Sequence, residues 1–187
     1  MNRRELTMPL LKIAHLGHPK IRSGAERVSV EQLQSSAVQQ FIDDMVETMR
    51  DANGVGIAAP QVQVSQQIIA IEVSPANPRY PNQSAVPLTV LINPKIIQHG
   101  EETENGWEGC LSVPNLRGLV PRWKQVKVEG LDRHGKFVQF EAQGFHARVV
   151  QHEVDHVNGL VFLDRLPDLQ TLTHLREYEQ FWKNHDV

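Results

Sequence analysis

The stretch Gln151-His152-Glu153-Val154-Asp155-His156 sets two imidazoles four residues apart with a carboxylate beside the first. Residues i and i+4 of an α-helix lie one above the other, so His152 and His156 present their rings to one metal ion. Glu153 lies next to that face. From there its carboxylate reaches a water activated by the ion without ligating the ion, as a general base does in metal-assisted hydrolysis. The competing reading is a core helix whose histidines merely hydrogen-bond. The chain's one cysteine, Cys110, stands well upstream in Glu108-Gly109-Cys110-Leu111-Ser112, far enough to sit on a separate element that folds back on the helix. A buried free cysteine is usually inert core. Beside H-E-x-x-H, however, Cys110 supplies the third ligand, and three protein ligands with a fourth position open are the usual catalytic arrangement.

The helix carrying the motif is expected to be buried on several sides. Phe145, Val149, His152 and His156 recur at helical spacing, and Val150, Val154 and Val157 fill much of the remaining surface. Arg148, Gln151 and Asp155 form a narrow polar stripe, Gly144 marks the start, and Asn158-Gly159 the stop. Earlier in the chain, Val38, Phe41, Ile42, Met45, Val46 and Met49 predict an amphipathic helix over 31–52. The small residues of Gly54-Val55-Gly56-Ile57-Ala58-Ala59-Pro60-Gln61 suit either a tight turn or the close approach of another backbone. Strands are expected over 67–73, 88–92, 95–99, 119–129 and 137–142, the last two as a hairpin around Asp132-Arg133-His134-Gly135. The Pro-rich segment 74–87 and the Glu-rich segment 100–106 read as loops, and 169–185 reads as a last helix. Strands joined as hairpins, with helices before and after, predict an α+β chain of antiparallel sheets around the metal-motif helix.

At 187 residues the chain is expected to form a single domain over 1–187, with a flexible leader over 1–8 and a C-terminal helix within 168–187. A net charge of -3 and the lack of a long basic run speak against a general DNA or anionic-membrane binder. One cysteine forbids an internal disulfide and points to a reducing compartment. Lys12 and His15 interrupt the apolar run near the N-terminus, so no signal peptide is expected, and no stretch nears the roughly 18 apolar residues of a membrane span. The expected location is cytoplasmic.

Three blocks in this order, G-V-G-I-A-A-P-Q at 54–61, E-G-C-L-S at 108–112 and Q-H-E-V-D-H at 151–156, strongly resemble peptide deformylase. The likeness runs from about Leu10 to Leu166 and takes in Leu119-Val120-Pro121-Arg122 and Asn158-Gly159-Leu160. It implies antiparallel sheets wrapped around the metal helix, and removal of the N-formyl group from the initiator methionine of new polypeptides, with release of formate. It also implies one divalent ion on Cys110, His152 and His156, natively Fe(II), with zinc, nickel or cobalt able to substitute. Glu153 matches the family's general acid/base, and Gln61 with the backbone N–H of Leu111 matches the pair that stabilises the oxyanion. For the substrate, Val55 and Gly56 are expected to align the peptide by strand-like hydrogen bonds. Phe145 and Val149 are expected to line a methionine pocket, with Glu108 and Gly109 beside it. Arg117 or Arg122 is expected to pair with Asp155. In the family a C-terminal helix can dock on the ribosome, though this tail is not notably basic.

Two other functions fit parts of the pattern. A zinc endopeptidase of the H-E-x-x-H type wants a third His or Glu ligand after the helix, where the only histidines are His174 and His185, in the tail. A binding protein with a closed structural metal site would leave Glu153 without a task.

Overall fold

The computed structural model describes residues 10–80 and 83–183; the expected leader 1–8 lies outside the described residues. In chain order the helices are α1 (Pro19–Arg22), α2 (Val30–Leu33), α3 (Ser36–Asp51), α4 (Gly144–Val157) and α5 (Leu175–Phe181). The strands are β1 (Gly56–Ala58), β2 (Ile68–Val73), β3 (Val86–His99), β4 (Thr103–Cys110), β5 (Val113–Trp123), β6 (Gln125–Leu131), β7 (Phe137–Gln143) and β8 (Thr173–His174). They form a five-stranded sheet in the order β1-β2-β3-β6-β7 and a three-stranded sheet in the order β4-β5-β8, with every pairing antiparallel. The α+β expectation of antiparallel sheets around one buried helix describes this arrangement.

Both faces of the larger sheet are covered. Ile69 and Ile71 of β2, with Leu91, Val126 and Val128, pack against Val150, Val154 and Val157 of α4. Ile68 and Ala70 of β2 point the other way, toward Ile42, Met45 and Met49 of α3. A strand buried on both sides reads as a continuous apolar run rather than an alternation, which is why 67–73 is legible as an interior strand. The smaller sheet has its own cluster, in which Cys110, Val113, Val120 and Phe162 meet Ile21. Every residue from Ala147 to Val157 is buried, so α4 is enclosed between the two sheets.

Several boundaries differ from expectation. The helix over 31–52 is two helices, because the Ser35 side chain accepts from the Val38 N–H at 3.3 Å and caps a new start for α3. The expected strands 88–92 and 95–99 are one strand, β3, bent at Asn93, which takes φ 54° and binds the Val28 backbone N–H and C=O through its side chain, each at 2.9 Å. The expected strand 119–129 is two strands in two sheets, since the chain crosses between them at Lys124. The acidic loop is shorter than 100–106, for Thr103–Gly106 pairs with β5. Of its three glutamates Glu104 lies on this edge strand, where pairing overrides its weak strand preference, and Glu101 and Glu102 stay in the loop.

The C-terminal helix is the largest correction. Thr173 and His174 pair with Arg117 and Leu116 as β8, so among the described residues helix in this stretch is confined to α5, seven residues long, and the end of the expected helix, 184–185, lies outside the described residues. Leu172 is drawn into the core of the smaller sheet, and Leu169 is 71% exposed, so the expected apolar stripe does not face one surface. Among the described residues no helix is long and apolar enough to cross a membrane.

Candidate metal centre

Three elements deliver the reactive side chains to one point. Cys110 ends β4, His152 and His156 lie one turn apart on α4, and Gln61 sits in the 3-10 turn that follows β1. Donor atoms of Cys110, His152 and His156 all lie within 4.8 Å of one another, with Cys110 Sγ 3.2 Å from His156 Nε2. A tetrahedral divalent ion with thiolate and imidazole donors holds those atoms roughly 3.6 Å apart, so small side-chain adjustments close this set on one ion. Burial alone would raise the Cys110 thiol. The neighbouring charges of His156 and His152 and their hydrogen bonds outweigh it and hold the thiol well below its usual range, favouring the thiolate that a metal needs. The Ser112 N–H adds a hydrogen bond to the sulfur at 3.3 Å.

His152 is aimed from behind. Its Nδ1 lies 2.9 Å from Glu108 Oε2, which leaves Nε2 for a ligand. Both Glu108 oxygens are fully engaged. Oε1 accepts from Arg122 Nε and Arg148 Nη1, each at 2.9 Å, and Oε2 also accepts from Arg122 Nη2 at 3.0 Å. Arg122 Nη1 continues to Asp155 Oδ2 at 2.6 Å, and Arg165 closes the far side of Asp155. Burial works against a charged Glu108, but the bonds from His152 and Arg122 prevail and keep its carboxyl far below the ordinary carboxylate range. Of the narrow polar stripe, Arg148 and Asp155 therefore belong to a buried ion network, and Gln151 bonds the backbone of Trp123 instead. Of the two arginines considered for Asp155, Arg122 makes the pair and Arg117 does not.

Glu153 stands at the opposite edge of the cluster. It is buried, burial pushes its pKa up to about 7, and its Oε2 has no hydrogen-bond partner among the described residues. That carboxylate lies directly beneath the backbone of Gly56. A Cβ on residue 56 would sit 2.7 Å from Glu153 Cδ and closer still to Oε1. Gly56→Ala is thus expected to push the carboxylate aside and cut turnover about a hundredfold, the scale of a misplacement near 1 Å. Metal content should stay at the wild-type level, and elemental analysis beside turnover checks both; a fully active variant would show that the close approach is not required.

Gln61 is fixed by its own backbone neighbour. The Ala58 N–H donates to Gln61 Oε1 at 2.8 Å, which directs Nε2 toward Cys110 Sγ at 3.4 Å and Ser112 Oγ at 3.3 Å. A donor so held faces the metal cluster and can meet negative charge developing there. Beside the cluster lies a narrow cleft. Val55, Gly56, Gln61, Glu108, Gly109, Cys110, Leu111, Phe145, Val149, His152 and Glu153 all line it, and His156 lies behind.

Some lining residues went unnoticed in the sequence. Tyr80, from the Pro-rich segment, packs on Phe145 with ring centroids 4.9 Å apart, and Arg79 lies beside it. That segment is tied down by Asn77, whose side chain donates to the Gly54 carbonyl at 3.2 Å. No periodicity could have revealed Tyr80. Trp107, also in the wall, had one signal: it immediately precedes the block 108–112 that holds Cys110.

The family model for polypeptide deformylase matches residues 10–172. Peptide deformylase 2 of Nostoc sp. is 45% identical over 176 residues, 94% of this chain and 97% of that protein. Peptide deformylase 1 of Bordetella pertussis is 47% identical over 157 residues, covering 84% and 88%. Among solved structures, a Met-Ala-Ser-bound class I type b peptide deformylase from Acinetobacter baumannii superposes with a TM-score of 0.81 at 43% identity, covering 85% of this chain and 99% of that one. A peptide deformylase from Synechococcus elongatus in complex with actinonin gives 0.77 at 35% identity, covering 96% and 90%.

Proposed function

Because the chain belongs to the polypeptide deformylase family, and is by that membership a metal-dependent hydrolase, we propose that it removes the formyl group from the N-terminal formyl-methionine of new polypeptides in the cytoplasm. The observation that carries this reading is the convergence of Cys110, His152 and His156 on one point with a buried, partnerless Glu153 carboxylate oxygen beside it. A divalent ion held by those three side chains supplies the Lewis acidity that acidifies a water and polarises the formyl carbonyl. Iron(II) is the ion expected, and a Cys-His-His set also accepts zinc, nickel or cobalt.

The protein's own groups carry the rest. Glu153 takes the proton of the attacking water and returns it to the peptide nitrogen as the C–N bond breaks, which leaves formate and a free amine. Nε2 of Gln61 and the backbone N–H of Leu111 donate to the oxygen that gains charge, each worth about 3 kcal/mol if preorganised. The substrate backbone adds to the edge strand β1. Val55 already gives its carbonyl to the Glu72 N–H at 3.0 Å, so by antiparallel alternation Gly56 turns its own groups outward to the peptide. Phe145 and Val149 form the methionine wall, with Gly109 at its rim and Glu108 holding His152 from below. Docking of the tail on a ribosome, implied by the resemblance alone, gains no support from α5, which packs Tyr178 on Trp107.

Formate release from formyl-Met-Ala-Ser by protein purified without oxygen and loaded with Fe(II) tests this reading. Release is expected; none, with metal bound and the fold intact, would return the chain to the peptidase or structural-metal readings. In the same assay Phe145→Ala is expected to lower the preference for methionine over alanine at the first position about tenfold, the value of a lost apolar contact. An unchanged ratio would move the pocket elsewhere.

A further inference from the structure

A separate groove runs along the face of α4 that turns away from the metal. Its volume is about 650 Å³, within the roughly 300–1,000 Å³ of sites that hold small molecules. Gln151, Val154, Asp155 and Asn158 form its floor, whereas His152 and Glu153 face the metal cleft. The second half of β3 makes one wall. Its pairing with β6 slips between Ile96 and Gln98, so Ile97 is the extra residue of a β-bulge. Ile96 and Ile97 would point to opposite sides of a regular strand, and the bulge brings both to the groove. Ile97 is left exposed there. Trp123 makes the facing wall, its ring stacked on His99 with centroids 3.7 Å apart. Gln151 bonds the Trp123 backbone, and Asp155 lies one helical turn further along the floor, about 6 Å away.

The charges around this groove are unbalanced. In the ion network Arg122, Arg148 and Arg165 share two carboxylates, Glu108 and Asp155. The excess positive charge sits at Arg165, whose side chain is 44% exposed. Asp155 is the one carboxylate that lines the groove among the described residues, and Arg122 at 2.6 Å and Arg165 at 2.5 Å already engage both its oxygens. Arg165 holds it through Nε and Nη2, which leaves Nη1 to donate elsewhere. Lys95 adds another positive charge at the groove. Among the described residues it makes no ion pair, even with Glu129, its register partner on β6.

We infer that this groove is a binding site for a small organic anion with an apolar body, an acyl or aryl carboxylate or sulfonate. The body lies along Ile97 and Trp123, and the charge meets Arg165 Nη1 in a charge-assisted hydrogen bond, with Lys95 adding to the positive potential. The site stands on its own geometry and does not depend on the deformylase reading.

Fluorescence of anilinonaphthalene sulfonate titrated into the zinc-loaded full chain tests it; a sulfonate is a poor metal ligand, so the probe is not drawn to the metal centre. One probe per chain is expected, with a Kd on the order of tens of micromolar. Ile97→Asp puts a charge in the path of the apolar body and is expected to weaken binding about tenfold. Lys95→Gln and Arg165→Gln should each weaken it about threefold, and the part owed to Lys95 should fade as ionic strength rises. Ile97 and Lys95 lie away from the metal cleft, so wild-type melting temperature and formate release in those two variants report an intact protein. Decanoate is expected to displace the probe, decanol to displace it far less, and Met-Ala-Ser to leave it in place. No binding, equal affinity in all three variants, equal displacement by decanol, or displacement by Met-Ala-Ser would each overturn the inference and leave the deformylase reading standing.

Discussion

Glu153→Gln is expected to cut formate release about a thousandfold while leaving fold and metal content unchanged. The carboxylate is not one of the three donors, so the ion should stay; of the two carboxylates that line the cleft among the described residues, Glu108 is tied up by Arg122, Arg148 and His152, and Glu153 alone keeps an oxygen without a partner. Glutamine keeps the shape that fits beneath Gly56, so the loss is chemical rather than steric. Stability gives a second readout with a definite sign. Burial raises the Glu153 pKa from 4.5 to about 7 in the metal-free protein, so folding must hold back an ionisation that the unfolded chain makes freely above about pH 4.5. The carboxylate therefore destabilises the metal-free fold at pH 8 and scarcely does so at pH 5. Any gain in melting temperature from Glu153→Gln should be larger at pH 8 than at pH 5. Retention of more than a tenth of the wild-type rate would remove Glu153 from the mechanism, and loss of the metal would make it a ligand.

What the sequence disclosed, it disclosed through chemistry that needs fixed spacing. His152 and His156 must be four apart to share a helix face, Glu153 must adjoin them, and a third donor was wanted, for which Cys110 was at hand. The buried strand β2 and the amphipathic α3 were legible because burial dictates their periodicity. Pairing choices were hidden. Lys124, where one apparent strand divides between two sheets, is polar and unremarkable in composition, and β8 follows from long-range pairing of Thr173 and His174 with β5 that no local window contains. Tyr80 reaches the cleft from a Pro-rich loop for the same reason. Nor can composition tell a solvated charge from a buried, paired one: Arg148 and Asp155 read as a polar stripe and are closed off inside the protein.

That last difference sets up the largest stability effect. Glu108 was expected to serve the substrate, and it does line the cleft, yet its two oxygens receive bonds from Arg122, Arg148 and His152. Glu108→Gln removes the negative charge that two buried guanidinium groups share, and glutamine's amide nitrogen would turn a donor toward donors. An uncompensated buried charge costs about 3–5 kcal/mol. In a chain of this length that corresponds to a fall in melting temperature of roughly 10 °C. Losing the acceptor that orients His152 should also weaken metal affinity about 10–100-fold, measurable by competition with a chelator. KM for formyl-Met peptides, measured with metal in excess, separates the two roles. A KM near the wild-type value beside weakened metal binding and a lower melting temperature makes Glu108 a positioning residue that acts through His152. A raised KM with melting temperature and metal affinity unchanged would instead return Glu108 to the substrate, and the ion network would then be no more than a bystander to the site it encloses.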